Sequence, residues 1–454
     1  MKLTVHRIAR ASLGLTAIGA IAGATFFSST SAHAADPVTL TVALAANPQM
    51  ETAEKLIGAF YAKNPDIKVK FETLPENELR PTVMKDVATG GGQFDVVMLG
   101  AYEVPIWAQK GWITNLSKTY AEKDTAYDIN DLLKPIRDLG SYQGDMYGAP
   151  FYGSSSFMMY RKDLFAKAGI TMPQHPTWDQ VSQYAAKLNS PSKGVSGICL
   201  RGLPGWGQNL APLTTVINTY GGRWFDEQWQ PQLTSDKTHA AINFYVDLLR
   251  KSGQPDAAKD GWQECLQLFT QGKVAMWYDD TVFAGPAIEQ AAPAVKGNIG
   301  FALAPVKETK YSGWLWAWGL SIPKTSKHQD ESWKLIAWLT SKEYIKLAGE
   351  KAGWTQTPPG SRKSTYALPA YAKATKDYAA LTLESIQHAN PQHPTVQPVP
   401  YTGVQYVDIP QFEAIGDFVS QQLAGAISGS QTVQQMLDIS QQKVQSIITD
   451  EGHS

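Results

Sequence analysis

The chain has 454 residues, 18% of them charged and 43% hydrophobic, and a formal net charge of −1. That balance belongs to a folded, water-soluble chain long enough for two domains. It carries neither a basic excess nor a run of like charges, which speaks against nucleic acid as a partner.

The N-terminus reads as an export leader. Lys2, Arg7 and Arg10 supply a positive start, Ala11–Phe27 is apolar, and Ala32-His33-Ala34 is a small-residue cleavage site, with the cut expected after Ala34. No cysteine follows the apolar stretch, so a lipid anchor is not expected. No later stretch is long and apolar enough to span a membrane. Two cysteines are present, Cys199 and Cys265. An oxidising compartment would let them pair, but sequence alone does not place them side by side.

Val38, Leu40, Val42 and Leu44 alternate with smaller or polar residues, which predicts a strand over Thr39–Leu44. Met50, Ala53, Ile57 and Phe60 then recur at helical spacing. Ile67, Val69 and Phe71 alternate again, Glu78–Thr89 reads as a helix, and Asp95–Leu99 is a short apolar run of the kind found in buried parallel strands. The first hundred residues therefore predict strand–helix–strand–helix–strand, an α/β layer arrangement. Ligands of such sheets bind beyond the carboxyl ends of the strands, which singles out the loops Ala45–Gln49 and Gly100–Glu103.

Further on, Phe157–Tyr160, Gly197–Leu200, Val274–Trp277 and Ile299–Ala304 read as strands. Thr177 with Gln180 forms a capping box for a helix to Leu188. Helical stretches are expected at Thr214–Tyr220, Asp236–Lys251, Trp262–Thr270 and Glu331–Lys346, with Trp333 and Trp338 inward in the last. Pro391–Pro410 reads as a Pro-rich loop, and Thr432 caps a final helix. The most distinctive stretch is Tyr311–Pro323, where Trp314, Trp316 and Trp318 fall two apart and so share one face of an extended segment. A row of indoles is either a buried sheet face or a stacking platform for a flat, partly apolar ligand.

Enzyme signatures are mostly absent: there is no G-x-S-x-G, Walker A, H-E-x-x-H or C-x-x-C, and no cofactor motif. His388 and His393 lie close in sequence but lack a third metal ligand. Asp279 and Asp280 are adjacent, so on a strand they face opposite ways and cannot flank one glycosidic bond; a carboxylate pair from distant positions, such as Glu103 and Asp279, stays open. What remains is a set of loops that mix aromatic rings with single polar groups. That mixture suits a polyhydroxylated ligand, whose C–H faces lie on rings while its hydroxyls need carboxylate, amide and guanidinium partners.

Long stretches carry a resemblance: LPENELR, GGQFDVVMLGAYEVPIWAQKGW, APFYGSSSFMMYRKDLFAKAGI, PTWDQV, GICLRGLPGWGQN, TYGGRWFD and LFTQGKVAMW. The sequence resembles the bacterial extracellular solute-binding proteins of sugar ABC transporters over nearly all of Leu40–Lys346, and within them the sorbitol/mannitol (polyol) group. The resemblance implies an α/β periplasmic-binding-protein fold with two hinged, discontinuous lobes: 35–149 with 310–345, and 150–309 with 346–454. It implies a ligand held between the lobes by Asn47, Tyr102, Glu103, Tyr152, Ser154, Arg201, Trp206, Trp224, Asp279, Trp316 and Trp318. Relatives resemble a Gly-Gly-Trp segment entering the strand at Trp316 and Trp318, whereas this chain reads Gly-Trp-Leu-Trp-Ala-Trp. The implied protein is a periplasmic monomer that binds a linear polyol, delivers it to permease subunits, and uses neither cofactor nor metal. A mono- or disaccharide binder, a secreted carbohydrate-active enzyme and a receptor adaptor with the same fold are the alternatives. An Arg201–Asp279 pair with no ligand role is a further one.

Overall fold

Alternating apolar residues let a strand bury one face, and a continuous apolar run lets it bury both. The computed structural model describes residues 37–450 and uses both patterns; the expected leader and its cut after Ala34 lie outside the described residues. The alternating segment is strand β1 (Val38–Ala45). It pairs in parallel with β2 (Ile67–Leu74) on one side and with the fully buried β3 (Val96–Gly100) on the other. Helices α1 (Pro48–Leu56) and α2 (Glu76–Thr89) make the connections, as the order of patterns predicts.

Two more strands follow, β4 (Ala149–Ser154) and β5 (Ser156–Arg161), with only Ser155 between them. They belong to different sheets. β5 is the centre of an antiparallel three-stranded sheet, flanked by β6 (Met276–Asp280) and β7 (Ile299–Leu303). β4 is the edge of the first sheet. The tryptophan segment supplies β8 (Trp316–Ser321), which runs antiparallel between β3 and β4 and completes the order β2-β1-β3-β8-β4. The architecture is mixed α/β, as expected.

Local chemistry explains where elements depart from expectation. Gly197–Leu200 is not a regular strand. Ser196 and Cys199 make only single bridges, to Val274 and Trp277, before Gly202-Leu203-Pro204-Gly205 turns the chain away. The expected helix Glu331–Lys346 is two helices, Gln329–Leu339 and Lys342–Ala352. Ser341 ends one and starts the next: its hydroxyl accepts from the Tyr344 N–H at 2.9 Å, an N-cap in the middle of an apolar stripe. Trp333 and Trp338 are buried in that stripe; Trp333 stacks on Tyr120 and Trp338 meets Phe60 and Tyr344 edge-on or tilted. Pro391–Pro410 contains no helix or strand. Among the described residues, no helix is long and apolar enough to cross a membrane.

The structure pairs Cys199 with Cys265, their Cα atoms 5.6 Å apart and both side chains fully buried. The bond ties the segment entering Arg201 to helix α3 (Trp262–Thr270) across a sequence separation of 66 residues. Loop-closure entropy gives a bridge of that length up to about 4 kcal/mol. A Cys199→Ala, Cys265→Ala double variant is therefore expected to lose about 2–4 kcal/mol of stability in chemical denaturation. Unchanged denaturation midpoints would show that the bridge does not constrain the chain.

Candidate functional site

The carboxyl end of β1, the start of α2 and the indole face of β8 meet the loops that follow β6 and Arg201. They enclose a cavity of about 630 Å³, its mouth included. Asn47 stands at its floor as the N-cap of α1. Its side-chain oxygen accepts from the Met50 N–H at 3.0 Å, which leaves its amide N–H groups for the cavity. Trp314, Trp316 and Trp318 all line the cavity, so the two-residue spacing does put three indoles on one face. Trp316 and Trp318 lie edge to face with ring centres 5.6 Å apart, and Trp206 meets Trp316 from the opposite side at 6.0 Å. Gly100 makes room for this arrangement, because a Cβ there would lie 2.3 Å from the Trp316 ring.

The indole cluster is not a bare platform. Arg80, from α2, sits in it: its guanidinium is 4.2 Å from the Trp206 ring centre, 4.8 Å from Trp318 and 5.6 Å from Trp316. Its side chain is 8% exposed and its charge is met by Glu76 at 2.8 Å and by Glu103. Glu103 is thus a partner of Arg80 on the far side of the indoles, and does not line the cavity.

A second guanidinium stands across the cavity. Arg201 donates from Nε to Asp279 at 2.9 Å and from Nη2 to the other Asp279 oxygen, while Nη1 donates to the Gly207 carbonyl at 2.8 Å. Asp279 also accepts from the Trp277 indole N–H at 3.0 Å and is fully buried. Asp279 therefore faces Arg201 behind the wall, and the carboxylate that reaches the cavity is its neighbour Asp280. Asp280 accepts from the Val282 N–H and the Ser154 hydroxyl, each at 2.8 Å. Burial pushes its pKa up to about 7, against the lowering pull of those two hydrogen bonds.

The structure places the sequence-predicted residues at the cavity, one layer behind it, or, for one of them, away from it. Asn47, Tyr152, Arg201, Trp206, Trp316 and Trp318 come together at the cavity. Glu103, Ser154 and Asp279 stand one layer back, each holding a residue that lines it. Tyr102 is also behind: its hydroxyl donates toward the Ile409 and Pro410 carbonyls and accepts from the Glu413 N–H, and its ring backs Trp206 at 5.0 Å. Trp224 is away from the cavity, buried against Phe412.

Sequence reasoning missed Glu76, Arg80, Asp280 and Gln405. Glu76 and Arg80 are an i, i+4 pair within LPENELR, a spacing that puts them on one helix face. The predicted helix started two residues late and hid that face. Gln405 lies in the Pro-rich segment that reads as plain loop. Its amide donates to the Leu315 carbonyl and accepts from the Leu315 N–H, clamping the segment to the tryptophan strand. Among the described residues, no group of three His, Cys, Asp or Glu could hold a metal ion.

Residues 45–346 match the model of the bacterial extracellular solute-binding protein family. This chain belongs to that family. The solute-binding protein is 42% identical over 405 residues to the mannitol-binding protein of Pseudomonas aeruginosa, which covers 89% of this chain and 92% of the relative. It is 48% identical to an ABC transporter solute-binding protein from Agrobacterium vitis S4, whose crystal structure holds D-mannitol. That match has a TM-score of 0.88 over 91% of this chain and 99% of the other. A solute-binding protein of Agrobacterium radiobacter K84, solved with ribitol, has a TM-score of 0.80 at 23% identity over 91% and 99%, and shows the fold alone. The fold is the mixed α/β periplasmic-binding-protein fold, and a member of this family binds its solute without chemical change, which sets the carbohydrate-active enzyme aside.

The Asp280 carboxyl has a direct consequence for pH. Its folded pKa is raised, so the folded chain holds this proton more tightly than the unfolded chain does. The stability it contributes is present at low pH and lost as pH rises from about 4 to about 7. The reverse holds for a ligand whose hydroxyl donates to the carboxylate, because that ligand selects the ionised form. Affinity for such a ligand is expected to rise between about pH 6 and pH 8 and then level off, and Asp280→Asn is expected to flatten the profile. Calorimetric titrations across that range check it; an unchanged slope in the variant would clear Asp280 of any part.

Proposed function

We propose that this solute-binding protein captures a linear polyol, a hexitol such as mannitol or sorbitol, and presents it to the permease subunits of an ABC importer. The observation that carries the reading is that the cavity wall holds no unmatched guanidinium. Both guanidiniums are already matched inside the protein, Arg80 by Glu76 and Glu103, and Arg201 by Asp279. An anionic ligand would find no unmatched positive charge, and a neutral ligand displaces none. Asn47, Asp280 and the spare N–H groups of Arg201 offer hydrogen-bond partners to hydroxyls, and the indoles offer surface to the carbon chain. Mannitol is the ligand named for two of the relatives, which supports the same reading.

In this proposal the protein is exported as a monomer to the periplasm, its leader cut after Ala34. Its lobes are built on the two sheets and close over the ligand by bending where the chain passes between them. The sequence boundary at 149/150 falls inside β4, whose ladder to β8 runs through Ser154. Ser155 is the better place for that crossing. The second stays in the segment between β7 and β8. The third, set near 345, falls inside the helix Lys342–Ala352, and a place after Arg362 is better, because Arg362 still donates to the Thr340 and Tyr127 carbonyls.

A melting screen of the protein with mannitol, sorbitol, arabitol, glucose and maltose tests the reading. A ligand at about one hundred times its Kd adds about 2.7 kcal/mol to stability. Stabilisation by hexitols is the expected result. Stabilisation by glucose or maltose alone would keep the family and replace the ligand. Trp316→Ala is expected to weaken hexitol binding by about 2 kcal/mol while the melting curve of the free protein stays cooperative. Wild-type affinity in that variant would remove the indole from the binding surface.

A further inference from the structure

The cavity has a neighbour. On the other side of Arg80 and Trp206 lies a second, open hollow of about 600 Å³, its mouth included, lined by Asn77, Gly205, Glu413, Asp417 and Gln421 together with the same Arg80 and Trp206. Those two residues line both spaces, and their side chains stack 4.2 Å apart. The stack is therefore the wall between an inner chamber and a polar outer vestibule. It is a rigid wall. Trp206 is 3% exposed, backed by Tyr102 and Phe412, and set so close to the helix α4 (Phe412–Ser428) that a Cβ on Gly416 would lie 2.6 Å from its own Cβ. Arg80 is held between Glu76 and Glu103.

We propose that the Arg80–Trp206 stack sets the length of the ligand. It ends the inner chamber at one hexitol and excludes polyols that carry an added glycosyl unit, for which the vestibule beyond supplies both space and polar partners. This rests on the polyol reading above and adds the residues that limit it. Arg80 acts here as a filled volume, not only as a charge. A long uncharged side chain keeps most of the wall, and a short one opens it.

The test compares mannitol with maltitol, a glucosyl-hexitol, by titration calorimetry on three proteins: wild type, Arg80→Ala with Glu103→Gln, and Arg80→Met with Glu103→Gln. The Glu103→Gln change neutralises the more buried of the two carboxylates that Arg80 matches. Wild type is expected to favour mannitol over maltitol by about a hundredfold or more, the alanine variant to narrow that preference by at least about tenfold, and the methionine variant to keep most of it. Trp206→Ala, which thins the wall from the other side, is expected to act as the alanine variant does and serves if that protein does not fold. The proposal is overturned if wild type binds both ligands alike, or if the folded opened variants keep the full preference. If wild type ignores mannitol but binds glucose, the polyol reading fails, and the same variants decide the wall with glucose against maltose.

Discussion

A guanidinium cannot be left unmatched inside a protein, and two of them stand at this cavity. Breaking a buried ion pair by removing one partner costs about 3–5 kcal/mol, because the remaining charge stays desolvated. The residues around Arg80 and Arg201 are arranged under that constraint. Asp279 is spent on Arg201, so the next residue, Asp280, takes the position at the cavity; alternation along β6 sends the two carboxylates to different places. Glu103 and Glu76 are spent on Arg80, which lets the guanidinium lie among indole faces instead of in water. The result is a wall rich in charge in which neither guanidinium is left without a carboxylate.

Much of this was legible in the sequence, and the parts that were not share a cause. Periodicity located β1, β2, β3 and their helices because each follows from neighbours a few residues away. The two-residue spacing located the indole face for the same reason. The division into front and back layers was not legible. Whether Asp279 or Asp280 faces the cavity depends on where Arg201 arrives, 78 residues earlier in the chain. Whether Tyr102 lines the cavity depends on Trp206 and on the carbonyls of Ile409 and Pro410, from distant parts of the chain. Resemblance transfers positions; it does not transfer the hydrogen bond that turns a side chain forward or back. The Pro-rich segment misled differently: irregular backbone reads as linker, yet Gln405 grips Leu315 from within it.

The place of β8 has a consequence for how this molecule comes into being. A late segment lies in the interior of the first sheet, pairing with β3 across more than two hundred residues of chain. Until that segment has emerged, β3 and β4 have no strand to join them, and the indoles, Arg80 and the end of β1 have no common centre. Bringing such distant strands together carries a loop-closure entropy that local helices do not, and topologies of this kind assemble slowly. The binding chamber is thus among the last features the chain acquires. A growing chain would stay open and threadable for most of its synthesis, a condition that suits a polypeptide made on one side of a membrane and completed on the other.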